Sequence, residues 1–193
     1  EVLKTLSNKF KTIIEQEVPE DAPGLICYDS YWQDMIGNVD LKADPDVSKV
    51  SDIVEIVDQK IEDNFTRGLA PKKKLAHRIV SAAAIKMLQG ELSKQNGVTA
   101  DALANDLCHV DITCETYDEL VDLVFTRLLK SIEDATQGQY FEKGNNEYHL
   151  RLEGGVNYEN KVKVYAASMG NSQKDEYFFK FFTDIFMLGE PDY

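Results

Sequence analysis

The stretch from residue 75 to residue 152 constrains the fold most, because helical apolar spacing occurs there three times in succession. It predicts a first helix over 75–88, a short second helix over about 100–107 that Thr99 caps, and a third over about 117–132. The third helix is expected to bury one stripe, formed by Tyr117, Val121, Val124, Leu128 and Ile132. Three consecutive short helices indicate a compact helical core.

Two short apolar strands are predicted directly after the third helix, over 139–142 and 147–152, around a turn at 143–146. Alternation on the second strand places His149 and Arg151 outward. The side chains expected to pack on the helices are Tyr140, Tyr148, Leu150 and Leu152. Helix, helix, helix and hairpin is the plan of a winged helix, a module that usually reads nucleic acid or docks on protein.

Helices are also predicted on both sides of this core. Apolar spacing favours helices over 2–17 and 48–65, and Asp29 or Ser30 is expected to cap a short helix between them that ends at Gly37. Beyond the hairpin, the Gly154-Gly155 break precedes helices near 158–167 and 174–188. The predicted fold class is therefore mainly α with a small β-hairpin.

The domain organisation that follows has three parts. Residues 1–68 form a helical segment, 69–153 the winged-helix domain, and 154–193 a C-terminal helical segment. The chain has 193 residues and 43% hydrophobic content, which is enough to form one or two domains with hydrophobic cores. It opens on Glu1, which suggests a piece of a larger protein, or alternatively a mature secreted chain.

Composition indicates a cytoplasmic protein that does not enter membranes. The apolar runs are too short to span a bilayer. Three cysteines, Cys27, Cys108 and Cys114, cannot all pair and do not form a disulfide scaffold, so a reducing compartment is the simpler interpretation.

The charge of the chain disfavours binding to nucleic acid. The formal net charge is −13 and the isoelectric point is about 4.6, whereas affinity for DNA comes largely from neutralising phosphates. The exposed face of the third helix would present Glu119, Asp122, Thr126, Lys130 and Glu133. In a helix-turn-helix this face enters the major groove, where its carboxylates would be repelled by the DNA phosphates.

One basic cluster runs against this trend. It begins just before the helix over 75–88, and two cations of the hairpin, which is the wing of a winged helix, could extend it. These candidate contacts for phosphate or an acidic partner are Lys72, Lys73, Lys74, Arg78, Lys143 and Arg151. The alternative is a solvated helix start, even though cations near a helix N-terminus oppose the dipole.

The last predicted helix is aromatic around much of its circumference. Rings one position apart diverge by about 100° on a helix, so they cannot all face one core. The candidate docking surface consists of Phe178, Phe181, Phe182 and Phe186. We expect these rings to be exposed or covered by a second copy, with weak self-association.

Catalytic, cofactor-binding and metal-binding motifs are not evident. The patterns GxxxxGK[ST], GxSxG, HExxH and CxxC are absent. Cys108, His109 and Cys114 lack an evident fourth partner for a structural zinc site. His77 and His149 are expected to be solvated, and the carboxylates are spread over helix faces. No catalytic residue is therefore assigned, and the chain is not expected to be an enzyme by itself.

Several segments in the same order carry a family resemblance. Residues 25–32 (LICYDSYW), 75–80 (LAHRIV) and 97–108 (GVTADALANDLC) are joined by ADPDV at 43–47 and by GQYF and NEYHL in the hairpin. Together they resemble the region downstream of the ATPase core in the large P-loop, AAA-like ATPases of BREX-type bacterial phage-defence systems. The resemblance extends from residue 25 to about residue 186.

The resemblance implies a parent ATPase that binds ATP and Mg²⁺ outside this fragment. Residues 1–68 would then be lid-like, Arg67 could sense nucleotide or be a plain surface arginine, and the fragment itself would hold no cofactor. Expected partners are the missing parts of the parent and other defence proteins. The first hypothesis is a non-catalytic docking segment. The alternative is a winged-helix DNA-binding module that uses the basic cluster at residues 72–74 and 78 together with the hairpin, or wing. An independent enzyme is disfavoured.

Overall fold

The computed structural model describes residues 25–89, 96–152 and 165–186, with the single positions 7, 10, 11, 14, 15 and 162. The chain divides into two compact units, residues 1–155 and 156–193. Most of the helices predicted over 2–17 and 158–167, and the Gly154-Gly155 break, lie outside the described residues. The predicted fold class is confirmed, since the described residues are mostly helical with one small antiparallel hairpin.

The first described helices are α1 (Tyr28–Gly37) and α2 (Val39–Lys42). The predicted caps of α1 are wrong, because extended Cys27 occupies the N-cap position and no side chain caps the helix. Asp29 lies inside the first turn instead, where a carboxylate favours the helix dipole. The predicted end at Gly37 is confirmed.

Helix α3 (Pro45–Asn64) begins before the predicted residue 48 because Asp44 is a strong N-cap. The Asp44 carboxylate accepts bonds from the backbone N–H groups of Asp46 at 2.9 Å and Val47 at 3.3 Å. The apolar residues whose spacing predicts this helix are buried. They are Val50, Ile53, Val54, Val57, Ile61 and Phe65.

A 3-10 helix (Arg67–Lys72) leads into α4 (Lys73–Leu88), and α5 (Ala100–Asp106) follows. The predicted cap of α5 is confirmed, since Thr99 Oγ1 accepts a bond from the Ala102 N–H at 3.1 Å. Helix α4 lies in the core, and its alanines at positions 76 and 82–84 are almost fully buried. Small side chains there allow close approach of neighbouring helices.

Helix α6 is continuous over Tyr117–Glu119, a π-helical stretch Leu120–Thr126, and Arg127–Thr136. The predicted stripe is only partly right. Val124, Leu128 and Ile132 are buried and Val121 half-buried, but Tyr117 is 45% exposed. A π-helical turn contains more residues than an α-helical turn. The residues before it therefore do not lie on the same face of the helix as Leu128 and the residues after it.

The hairpin consists of β1 (Phe141–Gly144) and β2 (Glu147–Leu150), paired from Phe141 with Leu150 to Gly144 with Glu147. The predicted turn at 143–146 is too long, because residues 143 and 144 belong to β1 and Asn146 adopts a left-handed conformation with φ of 70°. Tyr148 and Leu150 are buried, and Tyr140 and Leu152 pack against the core at its edge.

His149 departs from the prediction that it is solvated. Its ring lies over Gly97, where an added Cβ would come within 2.6 Å of His149 Cε1. Only glycine fits this close approach without a shift of the ring. Next to it, Val98 forms an isolated antiparallel bridge with Tyr148, in which each N–H donates to the other residue's carbonyl at 2.8 Å.

One hydrophobic core runs through the first unit. Buried side chains from before residue 68, among them Trp32 and Ile61, belong to the same cluster as Ile79, Leu103 and Phe141. The predicted helical segment and the predicted winged-helix domain are thus parts of one compact unit.

The second unit contains α7 (Asn171–Phe186), which starts three residues before the predicted position. The predicted exposure of its rings is confirmed: Phe178, Phe181 and Phe186 are each about 60% exposed and Phe182 is 39% exposed. The Phe182 ring stacks on Phe186, with ring centres 5.3 Å apart, and is tilted by 48° against Phe178, with ring centres 4.6 Å apart. Among the helices described, none has both the length and the apolar character to cross a membrane.

A shared core predicts that damage in α3 destabilises the whole first unit. Ile61→Ala should lower its free energy of unfolding by about 2–5 kcal/mol, because the fully buried side chain leaves a cavity. The control Ile112→Ala, at a side chain that is 97% exposed, should change it by less than about 0.5 kcal/mol. Urea unfolding followed by the fluorescence of Trp32 measures both; equal effects would contradict the shared core.

Candidate functional site

A cleft of about 360 Å³ lies beside the N-terminus of α4. One wall is formed by residues 71–78, which carry Lys72, Lys74 and Arg78 of the predicted basic cluster. The other wall is the loop of residues 109–112. The structure therefore brings three predicted site residues together in one cleft, which makes it the candidate site.

Lys72 is held by a carboxylate across the cleft. Its ammonium group donates to Asp111 Oδ2 at 2.8 Å, and Asp111 is 11% exposed on its side chain. This bond, with further bonds from the hydroxyl and N–H of Thr113, holds the pKa of Asp111 well below its usual range. Lys72 and the ionised Asp111 thus form a pair that closes the loop onto the 3-10 helix.

Arg78 joins three segments that are far apart in sequence. Its Nε donates to Asp29 Oδ2 at 2.6 Å and its Nη2 donates to the Leu107 carbonyl at 2.8 Å. The Arg78 and Asp29 side chains are 14% and 16% exposed. The guanidinium is therefore occupied within the chain, linking α1 and the end of α5 to α4.

Lys73 points away from the cleft toward α3. It donates to Glu62 Oε2 at 2.7 Å and to the Glu62 carbonyl at 2.9 Å. Glu62 Oε1 also lies 2.8 Å from Nε2 of His77, whose Nδ1 lies 2.6 Å from Asp58 Oδ1. The prediction that His77 is solvated is wrong, because it bridges two carboxylates of α3.

The two cations of the hairpin, Lys143 and Arg151, also have partners within the chain. Arg151 Nη1 donates to Glu142 Oε2 at 3.0 Å across the hairpin. The ammonium of Lys143 lies 5.9 Å from the centre of the Tyr148 ring, a cation–π distance. Neither side chain lines the cleft, so the structure does not unite the predicted cations in one basic surface.

The outer wall of the cleft ends in two exposed apolar side chains. Val110 is 80% and Ile112 97% exposed. Between them and the core, His109 packs edge-on against Phe125, with ring centres 6.1 Å apart. Desolvation by burial, followed by the charge of Arg78, lowers the pKa of His109. A neutral imidazole and two apolar residues therefore form this side of the cleft.

No group of three or more His, Cys, Asp or Glu side chains in the described part of the chain is arranged to hold a metal ion. All three cysteines are free thiols.

Several residues of the site are missed by sequence reasoning. Asp29, Asp58 and Asp111 lie between 19 and 49 positions from the cations they contact. Carboxylates are frequent in this chain, so no local pattern marks these three. The exposed pair Val110 and Ile112 could have been found from the sequence, because these two β-branched residues flank Asp111 in an otherwise polar loop.

The two half-buried histidines, His77 and His109, predict opposite dependences of stability on pH. The Asp58 and then the Glu62 carboxylate raise the pKa of His77, so its stabilisation is complete below the ordinary histidine pKa of about 6.5 and is lost as pH rises through the raised value. The pKa of His109 is lowered, so its contribution falls as pH drops below about 6.5. Both effects are measurable by urea unfolding across this pH range.

His77→Gln should remove the loss of stability on the alkaline side, whereas His109→Gln should remove the loss on the acid side. A His77→Gln protein with the pH profile of the parent chain would show that the bridge to Asp58 and Glu62 does not form.

Comparison with known proteins places the first unit in a family. A model of the DUF6079 second domain matches residues 1–156 of the 193, which include α1 to α6, the hairpin and the cleft. No curated protein and no solved structure matches the chain. Because the match covers most of its length, the chain belongs to the DUF6079 second domain family.

Proposed function

We propose that this chain is a non-catalytic docking domain that contacts other domains of a larger protein. The observation that carries the proposal is the internal pairing of the basic cluster. Lys72, Lys73 and Arg78 each bind a carboxylate of the same chain within 3 Å. A cation that already has such a partner gives up that interaction when it binds a phosphate, so the cluster favours folding over ligand binding.

The alternative, a DNA-binding module, has less support. Asp118, Asp122 and Asp134 are exposed on α6, against the exposed cations Arg127 and Lys130. A balance of this kind releases few counterions from DNA. The net charge of −13 acts in the same direction.

A winged-helix arrangement remains part of the proposal. The order α4, α5, α6 and hairpin supports it, and so does the bridge between Val98 and Tyr148. That single-residue bridge lies between the first and second helices, where winged helices have a third strand. In this arrangement the acidic face of α6 would serve protein recognition.

Exposed apolar surface supports docking. Val110 and Ile112 rim the cleft, and the rings of α7 form a second apolar surface in the other unit. Exposed side chains of this size carry a hydration cost that a partner would remove, at roughly 25 cal/mol per Å². The matching family is described as a second domain, and the occupant proposed for the cleft rim is therefore a neighbouring domain.

The parent proposed for this domain is the BREX-type phage-defence ATPase that the sequence resembles. ATP and Mg²⁺ would bind elsewhere in that parent, and other defence proteins would be further partners. Three free thiols support a reducing cytoplasm. The aromatic face of α7 would bind the parent or, weakly, a second copy.

The docking proposal predicts no saturable binding of duplex DNA. Fluorescence anisotropy with a labelled duplex at about 50 mM salt measures this under conditions that favour binding by charge. Binding that weakens steeply toward about 200 mM salt, and is lost in Lys130→Glu but not in Lys60→Glu, would support the DNA-binding alternative instead.

The positive test uses a full-length protein of the family. A photo-crosslinking amino acid at Ile112 should join this domain to another part of the same polypeptide. The same group at Val39, which is 83% exposed on α2, is the matched control. Cross-links from Ile112 that are no more frequent than those from Val39 would contradict docking at the cleft rim.

A further inference from the structure

Two thiols from distant parts of the chain lie near each other beside the cleft. Cys27 precedes α1 and Cys108 follows α5, and Cys108 lies near enough to Cys27 to be one of the groups that raise its pKa. The Cys27 thiol donates to the Leu25 carbonyl at 3.7 Å and the Cys108 thiol to the Asn105 carbonyl at 3.3 Å. Cys27 is 3% exposed, whereas Cys108 is exposed to solvent. One member of the pair is therefore open to a small reagent and the other is held behind it.

Arg78 fixes the backbone on both sides of this pair. Its guanidinium binds the carboxylate of Asp29, two residues after Cys27, and the carbonyl of Leu107, one residue before Cys108. Cys108 itself adopts a left-handed conformation with φ of 46°, which is uncommon for a side chain of this kind. Arg78 therefore holds close together the two backbone segments that carry these thiols.

We propose that Cys27 and Cys108 are a redox modification site, at which peroxide converts the two thiols into a reversible intramolecular disulfide. This site is independent of the docking function proposed above. It requires the two neighbouring sulfur atoms to approach to bonding distance.

The exposed thiol reacts first. The Cys108 thiolate attacks one oxygen of hydrogen peroxide; an S–O bond forms, the O–O bond breaks, and the leaving hydroxide takes up a proton as water. Cys27 is a poor first nucleophile, because burial and then the neighbouring Cys108 raise the pKa of its thiol to about 11.

Cys27 resolves the sulfenic acid. Its sulfur attacks the Cys108 sulfur, the S–S bond forms as the S–O bond breaks, and the thiol proton leaves with the hydroxyl group as a second water. Two thiols lose two electrons and two protons in total, and one peroxide is reduced to two waters. A dithiol reductant reverses the step by thiol–disulfide exchange.

The disulfide would tie the start of α1 to the end of α5. It closes a loop of about 80 residues, for which chain-entropy arguments predict stabilisation of the folded state. It would also fix the position from which the cleft loop 109–112 departs. Oxidation should therefore raise the thermal unfolding midpoint of the first unit.

The test treats the purified chain with hydrogen peroxide, alkylates remaining thiols and maps peptides by mass spectrometry. The expected product is a monomer in which the Cys27 and Cys108 peptides are joined with loss of two hydrogen atoms, and a dithiol reductant restores both thiols. Cys114→Ser, which changes the half-buried third thiol, is the matched control and should form the same product.

Cys108→Ser should abolish the link and the rise in midpoint, and it changes an exposed side chain, so the fold should survive. In Cys27→Ala, Cys108 should accumulate as sulfenic acid that a dimedone-type reagent traps. A Cys108–Cys114 link, a disulfide between two chains only, or oxidation of Cys108 without a link to Cys27 in the unmodified sequence would each overturn the proposal.

Discussion

The ion pair between Arg78 and Asp29 is the interaction on which the first unit depends most. Both side chains are nearly buried, and the second nitrogen of the fork binds the Leu107 carbonyl. Removing one partner of such a pair leaves an uncompensated charge, at a cost of about 3–5 kcal/mol. Because the Arg78 guanidinium links α1, α4 and the end of α5, it fixes the shape of the cleft and holds the segments that carry Cys27 and Cys108 close together.

The other cations at the start of α4 follow the same principle. Positive charge near a helix N-terminus is unfavourable by about 0.3–1 kcal/mol. Here Asp111 offsets it at Lys72, and Glu62 offsets it at Lys73. The carboxylates come from the cleft loop and from α3. Each ion pair therefore joins the start of α4 to another part of the chain. Basic residues that resemble a ligand site therefore serve mainly to join the chain to itself.

Regular periodicity made much of the fold predictable. The stripe of α3, the caps by Thr99 and the burial of Tyr148 and Leu150 each depend on residues close in sequence. The exposed rings of α7 were predictable for the same reason. The start of α3 was missed because the predicted helix began at residue 48, whereas the Asp44 cap and Pro45 lie before it.

Features that depend on tertiary packing were not predictable. The π-helical stretch in α6 moves Tyr117 out of the buried stripe, where its hydroxyl meets the Asp101 side chain at 3.0 Å. The carboxylates that pair with the basic cluster, and the bridge at His77, join residues far apart in sequence. In a chain with 34 acidic residues, only the folded arrangement identifies the few that matter.

A double-mutant cycle on Asp29 and Arg78 tests most directly the claim that the basic cluster holds the fold together. Asp29→Asn, Arg78→Met and the double variant are compared by urea unfolding, with the exposed pair Asp46 and Lys49 as control. The account predicts a coupling energy above about 2 kcal/mol for the buried pair and below about 1 kcal/mol for the exposed pair. A coupling energy near zero for Asp29 and Arg78, with Arg78→Met as stable as the parent chain, would contradict it.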